Sequence, residues 1–241
     1  MKPVWDFLWY LVYPLVDWGQ HAWFVTFGIL FPVVPLCFAW PRRRNLSRPM
    51  RWMVVYLAAT WLEDLFTVYW SRHGRHSLWV VNLYTPFETV ILCTMFAGWQ
   101  LRLRWRAAIY AGMVTCLAFW GIVTFTVEGF FGISRYTKPV EALLVVAIAA
   151  WTLVDRSRRT ISPLTRHTWF WVSVGTMVYF AYLVMLDPAT YVFSQAQPSN
   201  KYLTLWRLSY EINGALATVM YLFWLRAILL VPRGKCVETL P

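Results

Sequence analysis

Residues 79–127 read WVVNLYTPFETVILCTMFAGWQLRLRWRAAIYAGMVTCLAFWGIVTFTV, and this stretch decides the fold. It contains two apolar runs, Trp79–Gln100 and Arg106–Val127, joined by a turn rich in arginine. A hydrocarbon core of about 30 Å needs about 20 apolar residues in a helix, and each run meets that length. The same alternation recurs outward, giving His21–Trp40, Arg51–Trp70, Lys138–Val154, Thr168–Leu186 and Leu205–Val231. The expected fold is therefore all-α: a polytopic membrane protein with a seven-transmembrane-helix bundle over residues 21–231. Residues 1–20 are expected to form an interfacial segment, because Asp6, Pro14 and Asp17 interrupt the apolar run Val4–Trp18. Residues 232–241 are expected to form a cytoplasmic tail.

Composition agrees. The chain is 59% hydrophobic and 19% aromatic, with only 14% charged residues and a mean hydropathy of +0.49. Soluble domains carry about 25% charged residues. These values exclude a soluble enzyme, a disordered chain and a nucleic-acid-binding module. The net charge of +11 needs another reading, and the loops supply it. Fifteen of the basic residues fall on one side, beginning with Arg42, Arg43, Arg44, Arg48 and Arg51, and seven fall on the other. The positive-inside rule places the first group in the cytoplasm, with the N-terminus outside and the C-terminus inside. The cationic side also suits anionic lipid head groups. Many tryptophans, Trp40, Trp52, Trp70, Trp79, Trp99 and Trp105 among them, sit at span ends as interface anchors. Trp61, Trp120 and Trp151 lie deeper.

The acids carry the functional signal. With this orientation nine of the eleven lie in the outer half or at the outer surface. Glu63, Glu88, Glu141 and Glu211 fall inside apolar spans on four helices, at depths of roughly 10, 14, 5 and 9 Å. A charge at the bilayer centre costs about 2.5–3.5 kcal/mol on insertion scales, so such groups face the bundle interior. Spans two, three, five and seven are expected to enclose one outward-opening polar cavity. Trp61, Asn82, Tyr84, Tyr136, Tyr210 and Asn213 lie near the same level and are candidate ligand-binding residues, with Glu141. Local pairs are the competing reading: Lys138 with Glu141 at i,i+3, and Arg207 with Glu211 at i,i+4. Glu63 and Glu88 have no basic residue within one turn. Pro86 is expected to kink span three beside Glu88.

Other chemistries lack their residues. Cys37, Cys93, Cys116 and Cys236 show no paired spacing. The four histidines lie in loops or at span ends, where they do not serve as haem ligands inside a bundle. No nucleotide-binding or serine-hydrolase motif is present. No metal and no cofactor are expected.

The sequence Asn82-x-Tyr84-Thr85-x-x-Glu88, with Tyr136-Thr137-x-x-x-Glu141, Leu62-Glu63 and Asn213, resembles a group of uncharacterised bacterial seven-helix integral membrane proteins over about residues 50–230. That resemblance implies no activity. Trp61 with Glu63, and Glu128-Gly129, are similar to motifs of the membrane-bound terpene cyclases of meroterpenoid pathways. Those cyclases also use an aspartate in span seven, where this chain has Ala215 or Thr218. The second resemblance, to fungal cyclases and their bacterial relatives, implies a membrane enzyme that cyclises an isoprenoid; the expected location is the bacterial inner membrane.

Three functions follow as expectations. In the first, Glu63 donates a proton to a small lipophilic substrate with Glu88 or Glu211 as partner, and aromatic faces stabilise the carbocation. In the second, the cavity is a receptor site acting through a cytoplasmic partner. In the third, the acids relay protons for transport. Beyond these, the partners are the lipid bilayer and no nucleic acid. The orientation predicts that a green fluorescent protein fused to the C-terminus fluoresces and that an alkaline phosphatase fused there is inactive. The reverse pattern inverts the topology.

Overall fold

The computed structural model describes residues 30–73, 76–195 and 200–232. The expected interfacial segment, the first part of span one and nearly all of the tail lie outside the described residues. Among those residues there are seven α-helices and no strand. Helix α1 is Val33–Ala39, which runs into a tight turn, Trp40–Arg42. Helix α2 is Arg48–Arg72, α3 is Leu78–Trp99 and α4 is Leu103–Val123. Helix α5 is Thr137–Ser157, α6 is Thr168–Gln195 and α7 is Asn200–Leu229.

Five of these are long and apolar enough to cross a membrane: α3, α4 with its final turn, α5, Thr168–Leu186 of α6 and Glu211–Leu229 of α7. Helix α2, with 25 residues, has the length but carries Arg48, Arg51, Glu63, Asp64 and Arg72. Two boundaries differ from the hydropathy reading. Helix α6 runs past Leu186 to Gln195, and α7 starts at Asn200 rather than Leu205. Hydropathy marks where lipid ends. Backbone hydrogen bonding continues beyond that point, even through Pro188. Helix α4 closes in a wider turn, Thr124–Glu128, in which the Gly129 N–H donates to the Thr124 carbonyl at 2.9 Å. Gly129 has φ +76°, a conformation that favours glycine.

Neighbouring helices joined by short connections pack antiparallel. Helix α1 packs on α2, α2 on α3, α3 on α5, α5 on α6, α6 on α7, and α7 back on α1. Six helices thus form a closed ring. Helix α4 packs outside it against α3 and α5. Only Ile109 and Cys116 of α4 are buried. Its outward Leu103, Val114 and Ile122 are exposed by 79%, 60% and 65%, an apolar surface that suits lipid. Inside the ring Met53, Leu57, Phe96, Val145, Phe180, Met220 and Trp224 form the core. The Trp224 indole N–H donates to the Val172 carbonyl at 3.2 Å.

At the end where the arginines cluster, several of them close helix termini. Arg42 is buried and donates from Nε to the Val231 carbonyl at 3.0 Å. Arg156 Nε donates to the Trp99 carbonyl at 2.8 Å, and Arg106 Nε to the Gln100 carbonyl at 2.7 Å. These carbonyls end α7 and α3, where no intrahelical donor remains and the helix dipole favours a cation.

A close contact between α6 and α7 is at Gly175. A Cβ there would stand 2.9 Å from Phe223 Cβ and 3.2 Å from the Met220 carbonyl oxygen. Gly175→Val should force α6 and α7 apart at a cost of about 1–3 kcal/mol. Thermal unfolding in detergent should show a lower midpoint; an unchanged midpoint refutes this packing.

Candidate functional site

The site is built from polar residues at helical spacing inside apolar helices. On α2, Tyr56, Thr60, Glu63 and Thr67 are spaced four, three and four apart, so they share one face. On α3, Tyr84 and Glu88 lie one turn apart, as do Thr85 and Thr89. Helix α5 brings Lys138 and Glu141 in its first turns.

Glu88 is the centre. Its Oε1 accepts from the Tyr56 hydroxyl at 2.8 Å, and its Oε2 pairs with Lys138 Nζ at 2.5 Å. Lys138 Nζ also reaches Glu141 Oε2 at 3.1 Å. One ammonium therefore bridges two carboxyl groups on different helices. The local Lys138–Glu141 pair and the interhelical contact are both present. Glu141 Oε1 lies 2.7 Å from the Thr89 hydroxyl. The Tyr84 hydroxyl meets Thr60 at 2.6 Å, and Lys138 Nζ lies 5.9 Å from the centre of the Tyr84 ring. Tyr56 packs on Trp224 of α7 with ring centroids 5.1 Å apart.

Glu63 and Asp64 form a second, less tied half. The Thr67 hydroxyl donates to Glu63 Oε1 at 3.0 Å. Among the described residues Asp64 has no hydrogen-bond partner, yet it lies close enough to Glu63 and Glu88 to feel their charges. The buried Tyr221 of α7 stands in the same field.

Two other predicted residues have structural partners. Asn82 Nδ2 donates to the Phe130 carbonyl at 2.8 Å and to the Gly132 carbonyl at 3.0 Å, which pins the loop before α5. Tyr136 is 49% exposed, with the Arg135 guanidinium 4.7 Å from its ring centre. Its N–H donates to Glu128 Oε1 at 2.5 Å. Glu128 also accepts from the Thr137 N–H at 3.2 Å and the Thr137 hydroxyl at 2.8 Å. That carboxylate caps the N-terminus of α5.

Among the described residues, the contacts that build this group do not involve the remaining candidates. Glu211 has a partner of its own, and among the described residues no hydrogen bond or ion pair links it to Glu63, Glu88 or Glu141. The indole nitrogen of Trp61 and Oδ1 of Asn213 are buried without a hydrogen-bond partner among the described residues. The Tyr210 side chain lies outside the described residues. Sequence reasoning missed Tyr56, Thr60, Thr89 and the reach of Lys138. The four-three-four polar spacing on α2 was the available signal for the first two. Lys138 meets Glu88 from 50 residues away, so no local pattern marks that pair.

The pair predicts a coupled stability effect. The Lys138 and Glu88 side chains are 14% and 7% exposed. Lys138→Met should destabilise by about 3–5 kcal/mol, because it leaves a buried carboxylate without its cation. Lys138→Met combined with Glu88→Gln should cost clearly less than the sum of the single changes. Additive losses in detergent unfolding would remove the pair from the account. No family model, no curated protein and no solved structure matches this chain.

Proposed function

We propose that this is a multi-pass protein of the cell inner membrane with seven membrane helices, its N-terminus outside and its C-terminus cytoplasmic. Its carboxylate- and aromatic-lined site takes a small lipophilic molecule. The best specific reading is an acid-initiated, non-redox cyclisation or isomerisation of an isoprenoid-type substrate. The observation that carries it is the division of the carboxyl groups. Glu88 is bound by both Lys138 and Tyr56, while among the described residues Glu63 near it has one hydroxyl partner. Glu63 is then the proton donor and Glu88 the anion that stabilises positive charge after transfer. Tyr56, Tyr84 and Tyr221 present aromatic rings near those carboxyls, the surface a carbocation needs. Trp61 follows Thr60 on α2 and has an indole N–H to spare. Glu211 has no part in this scheme. A proton-coupled transporter is the second reading, favoured by Asp64, which has no hydrogen-bond partner among the described residues and lies in the field of Glu63 and Glu88.

Native mass spectrometry of the detergent-purified protein tests the first reading. The wild type should retain an isoprenoid-sized lipophile. Glu63→Gln should fold normally and hold it unconverted, with turnover lost. Full turnover by Glu63→Gln ends the mechanism, and proton-driven uptake in proteoliposomes would favour the transporter.

A further inference from the structure

Thr89 carries information about hydrogen positions. Its hydroxyl lies 2.7 Å from Glu141 Oε1 and 3.0 Å from the Thr85 carbonyl oxygen. A threonine hydroxyl has one hydrogen, and a backbone carbonyl only accepts. The geometry lets Thr89 donate to either oxygen but not fully to both; with its hydrogen on the Thr85 carbonyl, the short contact with Glu141 is made by a hydrogen on Glu141. The lysine contacts show the same asymmetry. Lys138 lies 2.5 Å from Glu88 and 3.1 Å from Glu141, and Tyr56 adds a second donor to Glu88. Glu88 therefore has the surroundings of a carboxylate. Glu141, 1% exposed, has those of a carboxylic acid. The titratable groups facing Glu141 are Lys138 of its own helix, Glu88 and Cys93 of α3 and Cys116 of α4. Among the described residues these include one cation for two carboxyl groups. Two ionised carboxylates would leave a net negative charge in an apolar interior, where each uncompensated charge is costly.

We propose that Glu88, Lys138 and Glu141 form a proton-binding site, with the proton on Glu141 Oε1. That hydrogen is donated to Thr89 Oγ1, and Thr89 donates to Thr85. Lys138 is left to neutralise Glu88. The inference does not depend on the substrate or on Glu63, so it stands or falls separately from the isoprenoid reading.

Infrared spectroscopy of the purified protein at neutral pH tests it without any ligand. The spectrum of wild type minus Glu141→Gln should contain the carbonyl stretch of an uncharged carboxyl group. Thr89→Val should move that band to higher frequency, because the acid loses its acceptor. Tyr56→Phe should leave it in place. These two variants also serve alone if Glu141→Gln does not fold. A difference spectrum with only carboxylate bands overturns the proposal. A band that follows Tyr56→Phe and ignores Thr89→Val puts the proton on Glu88 and also overturns it.

Discussion

A charge inside an apolar bundle must meet its counter-charge at contact distance, and Lys138 is where this chain satisfies that constraint. Its ammonium joins Glu88 of α3 to Glu141 of α5. The approach is prepared on both sides. Asn82 on α3 holds the carbonyls of Phe130 and Gly132, and Glu128 receives the first N–H groups of α5. The connection from α4 is thus pinned before α5 begins, which delivers Lys138 beside Glu88. Helix α3 must then pack on α5, its second neighbour in sequence, and α4 is left outside the ring. Nothing in α4 resists that position. Beyond Arg106 the helix carries no charge, and its outward face is apolar. The ring order follows from one ion contact as much as from hydrophobic packing.

The spans were legible because hydrocarbon imposes a length and an apolar composition. Each of the seven described helices overlaps an expected span, and five are long and apolar enough to cross a membrane; of the first span only Val33–Ala39 is described as helix. The helix ends were less legible. Residues 187–195 extend α6 as helix although they are too polar to continue an apolar span. The site was legible in part. Glu63, Glu88 and Glu141 stood out as acids in apolar runs. Their partners did not, because Lys138 and Tyr56 reach Glu88 across 50 and 32 residues. Asn82 illustrates the opposite limit. It stands at the level of the acids, but its amide is spent on the loop carbonyls. Depth in a span says nothing about which neighbour a side chain has.

The arginines have two uses that a charge count merges. Exposed ones such as Arg43 and Arg104, each over a tryptophan ring, carry the loop charge into the aromatic zone. Arg42 is nearly as inaccessible as the core and saturates the end of α7. Its guanidinium donates to the Val231 and Phe38 carbonyls at helix ends. Such residues spare the acids for the other half of the bundle. Asp155 pairs with Arg159 at 2.9 Å near the arginine end, while Glu63, Asp64, Glu88 and Glu141 gather far from it.

That gathering is not uniform, and the difference is what makes chemistry conceivable there. A site that releases a proton acquires a negative charge, and it must not collapse when it does. Glu88 and Glu141, fixed by Lys138, Tyr56 and Thr89, supply a frame whose geometry is set by contacts on three helices. Glu63 and Asp64 lie beside that frame with one hydroxyl contact between them. Among the described residues neither makes a hydrogen bond or ion pair to Lys138, Glu88 or Glu141. Proton transfer in an apolar interior requires a paired part that holds shape beside a less constrained acid, and the contacts of these four carboxyl groups divide in that way.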